Sequence, residues 1–225
     1  MIEIDIEERF KNKIDEIWER ENFKIINLQQ FGYSVQKNLA IQSILFVGIN
    51  PSNSDNSFKK EFYYSPQDAS HHKYFKKFND VSKKVNLHWT HVDLLFIRKT
   101  EQKMIERIEQ DYGQTGMDFI SEQLNISKEI IELSQPKIIV VNNTLARKYL
   151  GEKSKYYCGF QFTFNHELGT YLICNSKKLE NVPVFFTSML TGQRALDNGS
   201  YERLIWHIQF VLNKLNDLNH SPNCP

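Results

Sequence analysis

The residues of this chain that could carry chemistry are polar groups that follow apolar segments. They occur in three places: Asn50-Pro51-Ser52 after the apolar segment 44–49, Asp93 and Arg98 in and after the segment 92–97, and Thr187–Arg194 after the segment 182–186. Amides, carboxylates and hydroxyls can position a water, hold the edge of a ligand or transfer a proton. Their shared position after apolar runs predicts one common site.

The apolar periodicity predicts an α/β fold. Continuous apolar runs are typical of strands that are covered on both faces, and spacings of three and four indicate amphipathic helices. Their alternation predicts a three-layer α/β/α sandwich around a central, mostly parallel sheet of about four strands. The predicted strands are 44–49, 92–97, 137–141 and 182–186, the predicted helices are 5–22, 71–86, 115–134, 144–150 and 200–216, and 156–180 and 53–70 are a predicted hairpin and long polar loop.

A length of 225 residues suits a single domain with a sizeable core. Residues 1–38 are expected to form an N-terminal helical extension, and residues 219–225 a frayed tail. Ligands of parallel sheets bind beyond the carboxyl ends of the strands. We therefore expect the site around Gly48-Ile49-Asn50-Pro51.

The charge balance argues against a broad polybasic surface. There are 28 Lys and Arg residues against 27 Asp and Glu residues, a net charge of +1. Binding to DNA would therefore require basic residues gathered on one face. The candidates for such a local patch are Arg98, Lys99, Arg194 and the face of the predicted helix that carries Lys76 to Lys84.

No pattern in the sequence indicates a metal, a cofactor or a membrane segment. Three widely spaced cysteines fit neither a disulfide framework nor a zinc or iron–sulfur site. In His88-x-x-His91, the three-residue spacing would point the two side chains to opposite faces of a strand. The N-terminus is acidic and lacks an apolar leader, and no apolar run approaches the length of a bilayer span. We predict a cytoplasmic protein without metal or cofactor.

Several segments resemble the uracil-DNA glycosylase superfamily. The run Leu45–Ser52 is similar to the first motif of the superfamily, above all to the mismatch-specific branch, which has GINPG there. Over residues 40–215, the resemblance lies in the order of the strands and helices along the chain. Val92-Asp93-Leu94-Leu95 through Arg98 resembles the second strand, Pro136–Val141 with Ala146 resembles the third strand and its helix, and Thr187–Arg194 takes the place of the second motif.

The resemblance implies a uracil-DNA glycosylase-like fold and a hydrolase that cleaves the N-glycosidic bond of a base flipped out of DNA. Asn50 would position the attacking water, and Asp93 would read the base edge. The remaining implied contacts are Gly48, Ile49, Pro51 and Ser52 around the base, one of Phe62, Tyr63 and Tyr64 stacked on it, Ser188 and Thr191 at the substrate, and Arg98, Gln193 and Arg194 at the DNA strand.

Two positions depart from the family pattern. The second motif begins with His or Asn in the family, whereas Met189 or Phe186 stands there in this chain, depending on the register. That residue stabilises the departing base, so a catalytically inactive module that binds a nucleobase or nucleic acid is the alternative. Asp93 replaces the base-reading Asn, and an ionised carboxylate only accepts hydrogen bonds. It would suit an exocyclic amino group better than a uracil carbonyl.

A third alternative is an unrelated doubly wound hydrolase or cofactor-binding protein. It is disfavoured because the sequence contains neither GxGxxG nor GxxxxGK followed by Ser or Thr.

The charge balance predicts that any binding to DNA is modest and strongly dependent on salt. Each phosphate that a local patch neutralises releases counterions, so the affinity should fall steeply as salt rises. The measurement is a titration of a labelled oligonucleotide at several salt concentrations. Tight binding that is unchanged between low and high salt would contradict the prediction.

Overall fold

In the computed structural model, the described parts of the chain are residues 2–24, 28–52, 57–63, 73–151, 157–192 and 195–220. The strands are β1 (Glu3–Asp5), β2 (Gly32–Gln36), β3 (Asn38–Ala40), β4 (Ile44–Gly48), β5 (Lys59–Tyr63), β6 (Trp89–Asp93), β7 (Ile138–Val141), β8 (Phe162–Asn165), β9 (Thr170–Ile173) and β10 (Pro183–Phe186). The helices are α1 (Ile6–Glu19), α2 (Glu21–Lys24), α3 (Lys76–Val85), α4 (Lys103–Glu106), α5 (Ile108–Ser134), α6 (Thr144–Gly151) and α7 (Asn198–His220).

The central sheet has six strands in the order β6-β4-β7-β10-β9-β8. The first four strands are parallel, and β9 and β8 continue the sheet in antiparallel fashion. Helices cover both sides, which confirms the α/β class. The sheet itself differs from the prediction of about four mostly parallel strands, because the predicted hairpin pairs with the free edge of β10 and makes the sheet mixed.

Side chains of the buried strands alternate between two apolar layers. Leu45 and Val47 of β4 belong to the cluster that contains α1, α5 and α6 residues. Ile44 and Phe46 belong to the cluster with α3 and α7, where the Phe46 ring stacks on Phe78 with centroids 4.2 Å apart. A strand covered on both faces loses apolar surface to both layers, which explains its continuous apolar sequence.

The second parallel strand is shifted from its predicted position. The prediction was 92–97, whereas β6 runs from Trp89 to Asp93. Beyond Asp93 the chain turns across the end of β4, where Leu94 N–H donates to Gly48 O at 3.2 Å and Leu95 N–H to Ile49 O at 2.8 Å. Residues 94–97 are fully buried without being a strand. A continuous run of apolar residues therefore indicates that a segment is buried, but a buried segment is not always a strand.

The parallel pair β2 and β5 was not predicted. β5 lies inside the segment 53–70, which was predicted as a long polar loop; the flanking residues 53–56 and 64–70 lie outside the described residues. Its sequence Lys-Lys-Glu-Phe-Tyr lacks the alternation of a strand, and its pairing with β2 runs from Gly32↔Lys59 to Gln36↔Tyr63. A strand whose partner is distant in sequence is stabilised by tertiary contacts that periodicity does not reveal.

The N-terminal segment 1–38, expected as a helical extension, is part of the core. Phe10, Ile14 and Trp18 of α1 are buried in the main apolar cluster. The segment also contains strands, because β1 pairs with β3 and β2 with β5. The helix α5 begins earlier than predicted and contains a break at Gly113, whose φ is 55°. At the other end α7 continues to His220, and the rest of the expected tail lies outside the described residues.

In the parts of the chain that are described, helices fall short of the combination of length and apolarity that a membrane crossing requires.

Gly32 is a position where the β2–β5 pairing depends on the absence of a side chain. Its φ is +67°, and a β-carbon there would overlap with the backbone carbonyl of Lys59. We expect Gly32→Ala to lower the free energy of unfolding by on the order of 3 kcal/mol, because left-handed strain and a backbone clash add. Gly113→Ala is the matched control: its φ is +55°, but no described atom lies within 4 Å of the added carbon.

Strain alone should cost Gly113→Ala about 1–2 kcal/mol, because φ 55° with ψ −142° is a conformation that essentially only glycine adopts. Chemical denaturation of both variants measures the difference. Equal losses of unfolding free energy in the two variants would show that the clash with Lys59 adds nothing to the cost of the backbone conformation.

Candidate active site at the carboxyl ends of the strands

A cavity of about 570 Å³ lies at the carboxyl ends of β4, β6 and β7. This is the edge where ligands of parallel α/β sheets bind, and the volume is within the range of small-molecule sites. Elements distant in sequence contribute to its wall. The described lining residues are Ser34, Gly48, Ile49, Asn50, Pro51, Ser52, Glu61, Tyr63, Tyr74, Phe75, His91, Asp93, Lys99, Thr100, Gln102, Asn142, Asn143 and Met189.

The side chain of Asn50 is anchored by its amide nitrogen. Nδ2 donates to the backbone oxygens of Pro51 at 3.1 Å, Ile97 at 3.3 Å and Lys99 at 2.5 Å. These bonds join the loop after β4 to the chain that follows β6. Because an amide nitrogen only donates, contacts with three carbonyls fix which end of the amide is nitrogen. The oxygen Oδ1 is then the atom of Asn50 that can accept a hydrogen bond from a bound molecule.

Asp93 occupies space that Gly48 leaves free. The two residues are paired in the register of β4 and β6. A β-carbon at position 48 would overlap with Oδ1 of Asp93 and would lie 3.0 Å from Nε2 of His91. His91 and Asp93 are two residues apart on one strand, so both side chains project from the same face. Gly48 thus allows a carboxyl and an imidazole to pack together beneath the cavity.

Burial determines the protonation of this pair. Asp93 is 7% exposed and His91 is 4% exposed, and Nε2 of His91 lies 3.5 Å from Oδ1 of Asp93. Neither ring nitrogen of His91 has a hydrogen-bond partner among the described residues. Burial raises the pKa of Asp93 to about 7 and lowers the pKa of His91 to about 3, since desolvation disfavours both charged forms. Below about pH 7 the pair therefore holds its proton on the carboxyl.

Aromatic rings and amides surround the pair. The imidazole of His91 contacts the rings of Tyr74, Phe75 and Phe78, with centroids 6.1, 5.5 and 5.6 Å away. The pKa of Tyr74 is raised by burial and by the nearby Asp93 carboxyl, and a side-chain hydrogen bond with Asn142 opposes this shift. Asn142 is 3% exposed, and its Oδ1 has no hydrogen-bond partner among the described residues. An unsatisfied acceptor in the wall of a cavity is a group that a ligand can satisfy.

Most of the predicted first-motif residues meet in this cavity. Gly48, Ile49, Asn50, Pro51 and Ser52 line it together with Asp93. Of the three aromatic candidates, Tyr63 lines the cavity, Phe62 packs on Tyr33 with ring centroids 5.8 Å apart, and Tyr64 lies outside the described residues.

The predicted second motif reaches the cavity through a different residue. Met189 lines it, whereas Ser188 and Thr191 are absent from the described wall. Gln193 and Arg194, the expected wedge residues, lie outside the described residues. Arg98, expected at the DNA strand, is 4% exposed, and its Nη1 donates to the Ser57 backbone oxygen at 2.7 Å. Its guanidinium is thus directed into the protein, and Lys99 is the basic residue at the cavity.

Sequence reasoning missed several lining residues. Asn142 and Asn143 follow β7 as Asn50 follows β4, so the rule that placed the site at strand ends could have identified them. Ser34 and Glu61, joined by a 2.9 Å hydrogen bond, come from the unpredicted pair β2 and β5. The sequence pattern indicates His91 only as half of a possible metal pair with His88. Among the described residues, no three His, Cys, Asp or Glu side chains gather as a metal site would require.

The Asp93–His91 pair predicts an unusual dependence of stability on pH. Between about pH 4 and 6.5 the unfolded chain carries one proton on this pair, on His91, because the ordinary pKa values are 3.8 and 6.5. The folded protein also carries one proton, but on Asp93. Since stability changes with pH only when the two states bind different numbers of protons, the intact pair should contribute no slope in this window.

Single substitutions should expose opposite slopes. In Asp93→Asn the remaining His91 binds its proton only in the unfolded state between about pH 3 and 6.5, so stability should rise with pH. In His91→Gln the remaining Asp93 keeps its proton in the folded state up to about pH 7, so stability should fall as pH rises. Each slope approaches about 1.4 kcal/mol per pH unit. Urea unfolding from pH 4 to 7 measures them, and parallel profiles for all three proteins would contradict the assignment.

Comparison of the chain with known protein families and with curated protein sequences finds no match in either.

Proposed function

We propose that this protein is a DNA glycosylase-like hydrolase that breaks the N-glycosidic bond of a base flipped out of DNA. The observation that carries the proposal is that Asn50, with its amide nitrogen fixed by three carbonyls, shares one cavity with the buried Asp93 carboxyl. One group is suited to holding a water and the other to recognising a base edge. The resemblance of residues 45–52 to the first glycosylase motif supports the same assignment.

Asn50 would position the attacking water through Oδ1. In the reaction, the water oxygen bonds to the anomeric carbon of the sugar while the carbon–nitrogen bond breaks and the base departs with the electron pair. The proton that the water then loses passes to the departing base through solvent. An amide is too weak a base to remove a proton from water in the ground state. The contribution of Asn50 is therefore orientation, and most of the barrier must be lowered by stabilising charge on the sugar and on the departing base.

The cavity has the composition that an extrahelical base requires. Tyr63, Tyr74 and Phe75 provide aromatic walls, and Asn142 provides an acceptor without a partner among the described residues. Enzymes that act on flipped bases stack them against aromatic or apolar side chains and read the polar edge by hydrogen bonds. Lys99 lies at the same cavity and would attract an anionic leaving base.

The raised pKa of Asp93 bears on which base is recognised. Below about pH 7 the protonated carboxyl can donate to a carbonyl and also accept a hydrogen bond. Above that pH the carboxylate only accepts, which favours a base with an exocyclic amino group. The preference for uracil over amino-bearing bases should therefore decrease as pH rises through about 7.

A second candidate function is binding of a nucleobase or nucleic acid without cleavage. Met189 is the observation that favours it, because Met189 lines the cavity from the loop that replaces the second motif. A thioether neither donates a hydrogen bond nor carries charge. If Lys99 and the amides do not stabilise the departing base, the cavity would retain a base without releasing it.

The proposal predicts base release that depends on Asn50. Oligonucleotides that carry uracil, hypoxanthine, damaged or mismatched bases are incubated with the protein, and abasic sites are cleaved and counted. Asn50→Ala should slow release by on the order of 10²–10³, the usual loss when a group that positions or stabilises the reacting atoms is removed. Gln102→Ala is the control, because Gln102 lines the same cavity without a role in the reaction.

Asp93→Asn should abolish the pH dependence of base preference while it preserves folding.

Thermal melting of each variant separates lost chemistry from lost structure, since Asn50 also anchors a loop. Robust release that survives Asn50→Ala would refute the assigned role. Absence of release from every substrate, together with calorimetric binding of a free base, would establish the second candidate instead.

A further inference from the structure

Two adjoining cavities outside the candidate active site form a groove beside the hairpin edge of the sheet. Their volumes are about 430 and 370 Å³, and Arg147, Tyr171 and Phe186 belong to the walls of both. Phe162 and Lys148 extend the groove in one direction, and Arg203 in the other. We call this surface the hairpin groove. None of the roles assigned above uses it.

Among the described residues, helix α6 ends at Gly151 before it covers the antiparallel strands. Its last residue, Gly151, lies against Phe162, where an added β-carbon would be 2.6 Å from the ring. Beyond that point the rings of one sheet face form a row. Phe186 contacts Phe162 and Tyr171 with centroids 5.1 and 5.3 Å away, and Tyr171 contacts its cross-strand neighbour Phe164 at 5.2 Å. Phe164 is 43% exposed.

The described wall of the groove is positively charged. The guanidinium of exposed Arg147 lies over the Phe186 ring, 4.5 Å from its centroid. No carboxylate of the described residues lies within ion-pair distance of Arg147 or Lys148, and no Asp or Glu occurs among the described lining residues. At the Arg203 end of the groove, the pKa of the nearby Asp197 is lowered mainly by hydrogen bonds from Ser200 and to a smaller extent by the charge of Arg203. In a chain with a net charge of only +1, this is a local concentration of basic groups.

We propose that the hairpin groove binds single-stranded nucleic acid. Aromatic rings beside unpaired cations are the two components that such sites combine, since bases stack on the rings and phosphates contact the cations. Tyr171 and Phe164 would stack bases, and Arg147 and Lys148 would contact phosphates. A duplex keeps its bases within the helix and would use only the cations. The row of rings therefore favours a single strand.

Residues that are neighbours in sequence line the groove and the candidate active site. Asn143 lines the active-site cavity and Thr144, the next residue, lines the groove. Likewise Met189 lines the cavity and Thr187 lines the groove. A strand held in the groove would lie beside the cavity mouth. The inference extends beyond the proposed function, because strand binding requires no cleavable base and does not depend on Asn50 or Asp93.

The test is fluorescence anisotropy of a labelled oligothymidylate of about twelve nucleotides, which contains none of the candidate bases, at low salt. Arg147→Glu should weaken binding by roughly tenfold or more, and it should reduce the dependence of affinity on salt by about one counterion. Arg9→Glu is the matched control, since Arg9 is also an exposed helix arginine but lies outside the groove. It should change affinity less than twofold. Arg147→Lys, which keeps the charge, should retain the salt dependence.

Direct ultraviolet crosslinking through the thymines of the same oligothymidylate provides a readout that needs no variant. Peptides containing Tyr171 or Phe164 should carry the crosslink. Absence of binding by the unaltered protein, equal effects of Arg147→Glu and Arg9→Glu, or a duplex competitor as effective as a single strand would each overturn the proposal. Because the oligonucleotide carries no cleavable base, these results are independent of whether the protein releases bases.

Discussion

The close packing of Asp93 against Gly48 is the contact on which the candidate active site depends. Parallel register brings the last residues of β4 and β6 side by side, and only glycine leaves room for the carboxyl over its neighbour's backbone. The same contact brings His91 next to Asp93 and directs both beneath the cavity. From there the chain turns through residues 94–97. The backbone oxygens of Ile97, at the end of this turn, and of Lys99, just after it, are two of the three that anchor Asn50.

Burying two ionisable groups under an aromatic layer is unfavourable for folding unless the pair stays neutral. The pair stays neutral because it carries a single proton. Desolvation raises the pKa of Asp93 and lowers the pKa of His91, so that this proton stays on the carboxyl. A cavity carboxyl whose pKa lies near neutral pH is typical of functional sites, because burying such a group does not stabilise the fold. The polar cluster thus costs stability that the two apolar layers of the sheet must offset.

The candidate active site and the hairpin groove use different properties of the same sheet. The cavity forms where parallel strands end together, so that loops and carboxyl-terminal residues converge on one point. The groove forms where the sheet continues with antiparallel strands that no described helix fully covers, so that aromatic side chains stay accessible on one face. Thr187 and Met189 connect the two regions, since they follow β10, the strand that has a parallel neighbour on one side and an antiparallel neighbour on the other.

The sequence by itself determined the α/β class, the four buried strands within a few residues, and the position of Gly48–Ser52 at a cavity beyond the strand ends. These features depend on local apolar runs and on the turn residues that end them, and both are visible along the chain. Only the tertiary structure decided that residues 94–97 leave the sheet, that β2 pairs with β5, and that Arg98 is buried while Lys99 reaches the cavity. Each of these depends on partners distant in sequence. The protonation of Asp93 belongs to the same group, because the pKa of a carboxyl is set by the burial that its neighbours impose.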